Sequence, residues 1–313
     1  MSSMRISSRA VGLVAGVALD AAIGDPRRGH PVAAFGRVAS ALEKKVYGDS
    51  RPRGVVYAGS LVGGAFAGGL LVERAVKGRP LVRAGVTAVA TWAVLGGTSL
   101  GREGRVMRGF LEEGDLVAAR GRLGHLCARD PAGLGADELA RATVESIAEN
   151  TSDASIAPLV WGAVAGVPGL VAYRAANTLD AMVGYRNARY ERFGWASARL
   201  DDLVNWVPAR VTGVVAVMCA PRGRRGEAWR VLRRDGASHP SPNAGRCEAA
   251  FAGALDVRLG GANAYGGQVE KRPELGDGRS PEVGDIRRAV GLSRRVTVVS
   301  AMLCALVASV RKG

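Results

Sequence analysis

The sequence predicts an all-α polytopic membrane protein, with about five helices crossing the bilayer and helical polar segments between them. Three observations carry that prediction. The apolar residues gather in blocks instead of recurring at helix or strand period. The longest blocks match a hydrocarbon core, which takes roughly 20 residues of helix. Small residues recur inside them at the GxxxG spacing that lets helix backbones approach closely.

In chain order, residues 10–23 form the first block, fourteen residues that include Asp20 and suit a short span or a re-entrant helix. Residues 54–72 are nineteen without a charge, 84–101 eighteen, and 154–173 twenty. Segment 203–221 is a fourth span candidate, interrupted by Asn205, Pro208 and Arg210, and the shorter run 296–310 is a fifth. A cleaved signal peptide would explain the first block and none of the others. GxxxG spacing occurs at Gly12/Gly16, Gly59/Gly63, Gly64/Gly68 and Gly162/Gly166, but a chain with 44 glycines also produces it by composition. Block length therefore decides the class. The expected organisation is one integral membrane domain over residues 1–313, with polar regions at 102–153 and 222–295.

Charge and motif content narrow the function. The chain has 43 Lys+Arg against 28 Asp+Glu, a net charge of +15 over its 313 residues. Such a balance attracts nucleic acid, an anionic membrane surface or anionic substrates. The arginines are dispersed and accompany no helix-turn-helix or aromatic stacking motif, so nucleic acid is not an expected partner and membrane lipid is. Basic residues fill almost every connection, so the excess that marks cytoplasmic loops assigns no orientation. The four cysteines show no CxxC spacing and the three histidines are scattered, which argues against a disulfide scaffold and a zinc site. No GxxxxGK[ST] cradle and no serine-nucleophile elbow is present.

Four polar clusters are candidates for chemistry. The region 102–153 reads as helical, with a break at Asp130-Pro131-Ala132-Gly133. It ends in Glu145, Glu149 and Asp153, spaced so that a helix places the three carboxylates near one face. Like charges at that spacing cost a helix roughly 0.2–0.5 kcal/mol per pair. No Lys or Arg occurs between Ala142 and Tyr173, so the acids are expected to lack a local cation. A divalent cation with oxygen ligands, Mg²⁺ carrying a substrate phosphate, would relieve the repulsion; a solvated helix end is the plain alternative. The second cluster stacks Arg174, Asn177 and Asp180 on one stripe, with Arg186 following. There a guanidinium can grip carboxylate or phosphate, or Arg174 can simply snorkel from its span. The third is Asp201, Asp202, Asn205, Pro208 and Arg210, where proline can break the helix and Arg210 is either functional or paired with Asp201 or Asp202. The fourth is a turn presenting His239 and Asn243, followed by a glycine-rich loop over 259–267 able to bring backbone N–H groups to an anion.

These residues, taken together and in order, resemble the CobD/CbiB family of cobalamin biosynthesis, the adenosylcobinamide-phosphate synthases. The resemblance runs over most of the chain. It rests on Leu19-Asp20, Gly24-Asp25-Pro26 and His30-Pro31-Val32, then on Glu145-Ser146-Ile147-Ala148-Glu149-Asn150-Thr151-Ser152-Asp153. It continues through Tyr173-Arg174, Asn177-Thr178-Leu179-Asp180, Asp202, Asn205 and Pro208-Ala209-Arg210. Ser238-His239-Pro240-Ser241-Pro242-Asn243, Gly260-Gly261, Tyr265-Gly266-Gly267 and Arg272-Pro273 complete it. The resemblance implies a multi-pass enzyme of the cytoplasmic membrane that amidates the ring D propionate of adenosylcobyric acid with (R)-1-aminopropan-2-yl phosphate, converting ATP to ADP and phosphate. It also implies Mg²⁺ entering with ATP, no tightly bound organic cofactor, and neighbouring membrane enzymes of the corrinoid pathway as candidate partners.

Within that scheme the residue roles follow from chemistry. Glu145, Glu149 and Asp153 would hold the metal, while Arg174, Arg186, Arg210, Asn150 and Asn243 would bind substrate or phosphate. Asn177, Asp180 and His239 would be catalytic, Asp180 or His239 taking the proton of the attacking ammonium. Two alternatives stand beside the ligase: a Mg²⁺-dependent membrane transferase acting on pyrophosphates, and a non-catalytic membrane component of a corrinoid pathway.

Overall fold

A computed structural model describes residues 7–25, 29–265 and 268–310. Helices dominate it, as the sequence predicts. They are α1 (Ser8–Ile23), α2 (Pro31–Val46), α3 (Arg51–Ala75), α4 (Pro80–Val94), α5 (Gly97–Glu112), α6 (Leu116–Leu123) and α7 (Ala136–Thr151). A π-turn over Ser152–Ile156 joins α7 to α8 (Ala157–Val183), and α9 (Trp195–Val204), α10 (Trp206–Cys219), α11 (Arg225–Asp235), α12 (Ala244–Leu255) and α13 (Val283–Val310) follow. The only sheet among the described residues is the antiparallel hairpin β1 (Leu259–Tyr265) and β2 (Gln268–Leu275).

Among the described residues, four helical stretches are long and apolar enough to cross a membrane: Arg51–Ala75, Pro80–Glu112, Ala136–Val183 and Val283–Val310. The broken pair Trp195–Val204 and Trp206–Cys219 makes a fifth if counted as one span. Each of the four contains one of the predicted blocks, and the broken pair covers 203–219 of the block read as 203–221. Their outer faces carry large apolar side chains in the open, among them Val56, Phe66 and Leu71 on α3 and Leu81 and Val89 on α4. Such faces suit lipid. The first block forms α1, only 16 residues long and short of a full span.

By its contacts the chain falls into two compact units, residues 1–96, 157–205 and 301–313 in the first and 97–156 and 206–300 in the second. In the first, α1 lies on α4 with almost no side chain between them. A Cβ added to Gly12 would stand 2.5 Å from Thr87 Cβ, and one added to Gly16 would stand 2.4 Å from Thr91 Cβ. That GxxxG pair is a true helix seam. Gly59, Gly63, Gly64 and Gly68 instead face open space, so their spacing reflects composition. Helix α3 packs on α8 where Gly69 meets Pro168, and Tyr57, Leu61, Leu179, Val183 and Phe193 close a small core there.

Helix α8 is interrupted inside its apolar run. Gly166 adopts φ 68° and ψ −148°, a conformation open only to glycine, two residues before Pro168. Glu73 fills the space beside it and is paired with Arg9 at 2.9 Å and Arg83 at 2.6 Å. The predicted break near Pro208 falls earlier, at Asn205. Pro208 sits in the first turn of α10, where a missing N–H costs nothing.

In the second unit α7 packs on α5 and α12, and α12 on α10 and α11. Gly133 at φ 78° and the bond from Ala132 N–H to Asp130 Oδ1 (2.9 Å) form the predicted break before α7. The segment read as a glycine-rich loop over 259–267 is corrected: most of it is strand β1, because 268–275 supplies a pairing partner that composition alone does not reveal. Gly266 and Gly267, like Pro26, lie outside the described residues.

Candidate functional site

The second unit gathers most of the predicted polar residues around the C-terminal end of α7. Glu145 is 5% exposed there. It is ion-paired with Arg129, from the loop before α7, and lies 3.7 Å from Arg141, one turn back on its own helix. Its Oε1 also accepts the Gly260 N–H at 2.7 Å. The expectation that these acids lack a local cation is therefore corrected for Glu145. Its partners lie just upstream of the stretch that contains no Lys or Arg, and one of them reaches back across a turn that the sequence does not measure. The backbone N–H expected to meet an anion at 259–267 does so, and the anion is this carboxylate.

Glu149 and Asp153 are half-buried, one turn apart, on either side of the start of the π-turn. Turns of this kind re-aim side chains and concentrate at functional sites. Asn150 bonds back to its own helix, donating to Ser146 O at 3.0 Å and Ser146 Oγ at 3.2 Å. Among the described residues no three His, Cys, Asp or Glu side chains are placed together to hold a metal ion. A site for Mg²⁺ borne by a phosphate asks less of the protein, since that ion keeps waters and takes one or two carboxylates. Glu149 and Asp153 suit such a site; Glu145, held by cations, does not.

Facing this helix end is Glu248 of α12, 2% exposed and the one acid in a helix of mainly small and apolar residues. Burial pushes its carboxyl well above the ordinary range, and the nearby Glu145 and Glu149 charges push the same way. Burial likewise raises the thiol of neighbouring Cys247, which is no nucleophile in this state.

His239 and Asn243 are turned inward, 7% and 8% exposed, and not presented to solvent as the turn motif suggests. The reason is local. Ser241 Oγ accepts the N–H groups of Asn243 (3.3 Å) and Ala244 (3.2 Å) at the start of α12, drawing the turn onto the helix. His239 Nδ1 accepts the Ser241 N–H at 3.0 Å. A neutral imidazole has one acceptor nitrogen, for which the Ser241 N–H at Nδ1 and the Arg272 guanidinium at Nε2 compete. Nε2 lies 3.9 Å from Glu248 Oε1 and 3.3 Å from Arg272 Nη1. Burial lowers the His239 pKa, and the Arg272 charge lowers it further. In this arrangement both ring nitrogens are engaged by neighbouring donors.

Arg210 donates to Trp206 O at 2.7 Å and stacks over the same Trp206 ring at 3.9 Å, one turn earlier on α10.

The first unit holds a separate polar network. Arg174 donates through Nε to Val94 O (2.7 Å) at the end of α4, and through Nη1 to Asn177 Oδ1 (3.1 Å). Cations are at home at helix C-termini. Asn177 reaches Asp201 Oδ1 at 3.4 Å, Asn205 donates to Asp201 Oδ2 at 2.9 Å, and Tyr173 O–H donates to Asn205 Oδ1 at 2.9 Å. The second and third sequence clusters thus meet here, joined by Asp201. Asp202 pairs instead with Arg199 at 3.6 Å. Asp180 is half-buried near the end of α8, and Arg186 is exposed just beyond it.

Arg129, Arg141 and Glu248 were not singled out from the sequence, and Arg272 enters there only through the family resemblance. For Glu248 a signal exists, a single acid within an otherwise apolar helical run. For the arginines none does, in a chain this rich in them.

Comparison with known proteins gives consistent findings. The sequence model of the family described as CobD/Cbib protein matches residues 13–293. A protein of Mycobacterium tuberculosis (strain H37Rv) named "Cobalamin biosynthesis protein CobD" is 56% identical over 301 residues, 96% of each chain. Proteins of the same name from Geobacter metallireducens and Rhodobacter capsulatus are 45% identical (85% of this chain, 86% of that one) and 41% identical (95% and 96%). No solved structure matches.

Proposed function

This chain belongs to the CobD/CbiB family and acts in cobalamin biosynthesis, and from that premise we propose that it is an ATP-dependent ligase of the cytoplasmic membrane. It joins (R)-1-aminopropan-2-yl phosphate to the ring D propionate of adenosylcobyric acid and yields adenosylcobinamide phosphate. The observation that carries the proposal is the cluster at the end of α7. Glu149 and Asp153 are half-buried at the end of α7, in the same unit as the buried Glu145 and the linked Glu248, His239 and Arg272.

The chemistry asked of such a site is specific. A carboxylate does not acylate an amine at neutral pH until one oxygen becomes a leaving group. Transfer of the γ-phosphoryl of ATP to the propionate oxygen forms an acyl phosphate and releases ADP. The amine then attacks the acyl carbon, the C–O bond to phosphate breaks, and inorganic phosphate and a proton depart. Catalysis of the first step is positioning plus charge stabilisation. Glu149 and Asp153 would receive the Mg²⁺ of Mg-ATP, while the Arg129 and Arg141 pairs hold Glu145 out of the metal's reach. Burial raises the Glu248 carboxyl well above its ordinary range and so disfavours a third negative charge where phosphates must approach. His239 Nε2 lies 3.9 Å from Glu248 Oε1. The net positive charge of +15 suits three anionic substrates.

The test uses detergent-purified full-length protein with adenosylcobyric acid, (R)-1-aminopropan-2-yl phosphate and Mg-ATP. The expected result is a corrinoid at the mass of the phosphoamide, with ADP formed in step. Folded protein that yields neither product removes the ligase and leaves the non-catalytic membrane component in its place. Glu149→Gln and Asp153→Asn variants that keep full activity across a Mg²⁺ titration would remove the metal assignment alone.

A further inference from the structure

Away from the α7 cluster, the second unit carries a groove of about 620 Å³ with four arginines on its wall, Arg222, Arg225, Arg294 and Arg295. No acidic residue lines it. Its remaining wall is largely apolar, with Ala220, Val298 and Val299. Arg294 also lines a neighbouring crevice of about 340 Å³ with Arg105, Arg108 and Arg287, so positive charge continues around the same end of α13.

The position of the groove along its helices is what gives it meaning. The apolar run of α10 ends at Cys219, and charge begins at Arg222. The uncharged run of α13 begins at Val296, directly after Arg294 and Arg295. Both boundaries between apolar and basic sequence therefore meet at one groove, at the depth where headgroups border hydrocarbon. On the apolar side, Val214 and Met218 of α10 and Val298 of α13 are exposed. On the polar side, the exposed Trp229 stands one turn beyond Arg225 on α11, the kind of ring that sits at a membrane interface.

We propose that this groove is a binding site for an anionic phospholipid. Its phosphate is held by Arg294 and Arg295 from α13 and by Arg222 and Arg225 from the turn into α11. Its acyl chains run along Val298 and the exposed face of α10. Guanidinium forks suit phosphate oxygens, and basic pockets between membrane helices take anionic headgroups. The apolar wall selects the source of the phosphate. A soluble nucleotide or phosphoamine in the groove would leave the valines wet, whereas a lipid satisfies arginine and valine together. The site is independent of the ligase assignment and needs only the membrane setting of α10 and α13.

The test is retention of phosphatidylglycerol against phosphatidylcholine by the purified full-length protein, read by native mass spectrometry and by the lipid-induced shift in Tm. The wild type is expected to keep phosphatidylglycerol selectively. Arg294→Gln/Arg295→Gln should weaken that retention about thirtyfold, since each interfacial arginine contributes on the order of 1 kcal/mol. A control that removes the same charge elsewhere in the unit, Arg233→Gln/Arg258→Gln, should not. Arg222→Gln/Arg225→Gln, on the opposite wall, repeats the loss should the first double variant fail to fold. Equal retention in the groove variants and the control overturns the site. Displacement of the lipid by Mg-ATP or inorganic phosphate at matched ionic strength overturns the lipid as its ligand.

Discussion

The pairing of Glu145 with Arg129 makes a prediction with a calculable size. The two side chains are 6% and 4% exposed, so neither charge can turn to water if its partner is removed. Breaking a buried ion pair by deleting one member costs about 3–5 kcal/mol, because the survivor is left uncompensated. In Arg129→Ala, Glu145 keeps Arg141 at 3.7 Å and the Gly260 N–H at 2.7 Å, which places the cost near the lower end, about 3 kcal/mol. At roughly 2–4 °C per kcal/mol, Tm should fall by about 6–12 °C. Arg129→Met/Glu145→Leu removes both charges and puts apolar groups in their place. It should recover most of the loss, to within about 1 kcal/mol of wild type. Thermal unfolding of the detergent-purified protein, followed by fluorescence-detected size exclusion, measures all three. A Tm for Arg129→Ala within about 2 °C of wild type would refute the buried pair, as would a double variant as unstable as the sum of its single parents.

Further outcomes follow from other contacts. Gly16→Ala drives a Cβ to 2.4 Å from Thr91 and should cost about 1–3 kcal/mol, while Gly63→Ala meets nothing within 4 Å and should be neutral; Tm of the two variants compares them directly. Glu248 has its folded pKa raised above the ordinary 4.5. The stability it supplies is full below that value and lost as pH rises toward the folded pKa, so Glu248→Gln should flatten the alkaline decline of Tm. Asp235 works in the opposite sense. The Arg234 guanidinium, with help from the Gly276 N–H at 2.8 Å, holds its carboxyl below the ordinary 3.8. Its contribution is full above 3.8 and lost as pH falls through the lower folded value, and Asp235→Asn should remove that acid loss from a Tm–pH profile.

What the sequence makes legible, and what it hides, follows from the range of the forces involved. The spans are legible because a run of uncharged residues has one inexpensive environment, and its length is set by the bilayer. The break at Asp130–Gly133 is legible because turn chemistry is local. Contacts between residues distant in sequence are not. Arg129 meets Glu145 from the far side of a turn, and Glu145 meets Gly260 from 115 residues away, so Glu145 looks uncompensated in the sequence although two arginines and a backbone N–H hold it. The same holds for Arg174. Its spacing from Asn177 is visible, whereas its bond to Val94, which makes it the cap of α4, depends on how two apolar helices pack. GxxxG spacing illustrates the point within one motif: Gly12 and Gly16 form a seam because α4 offers Thr87 and Thr91 opposite them, and Gly59 and Gly63 do not because nothing stands there. Polar residues in apolar surroundings signal from sequence that something must satisfy them. Only the fold shows which parts of the chain satisfy them, as Arg129, Arg141 and the Gly260 N–H do for Glu145.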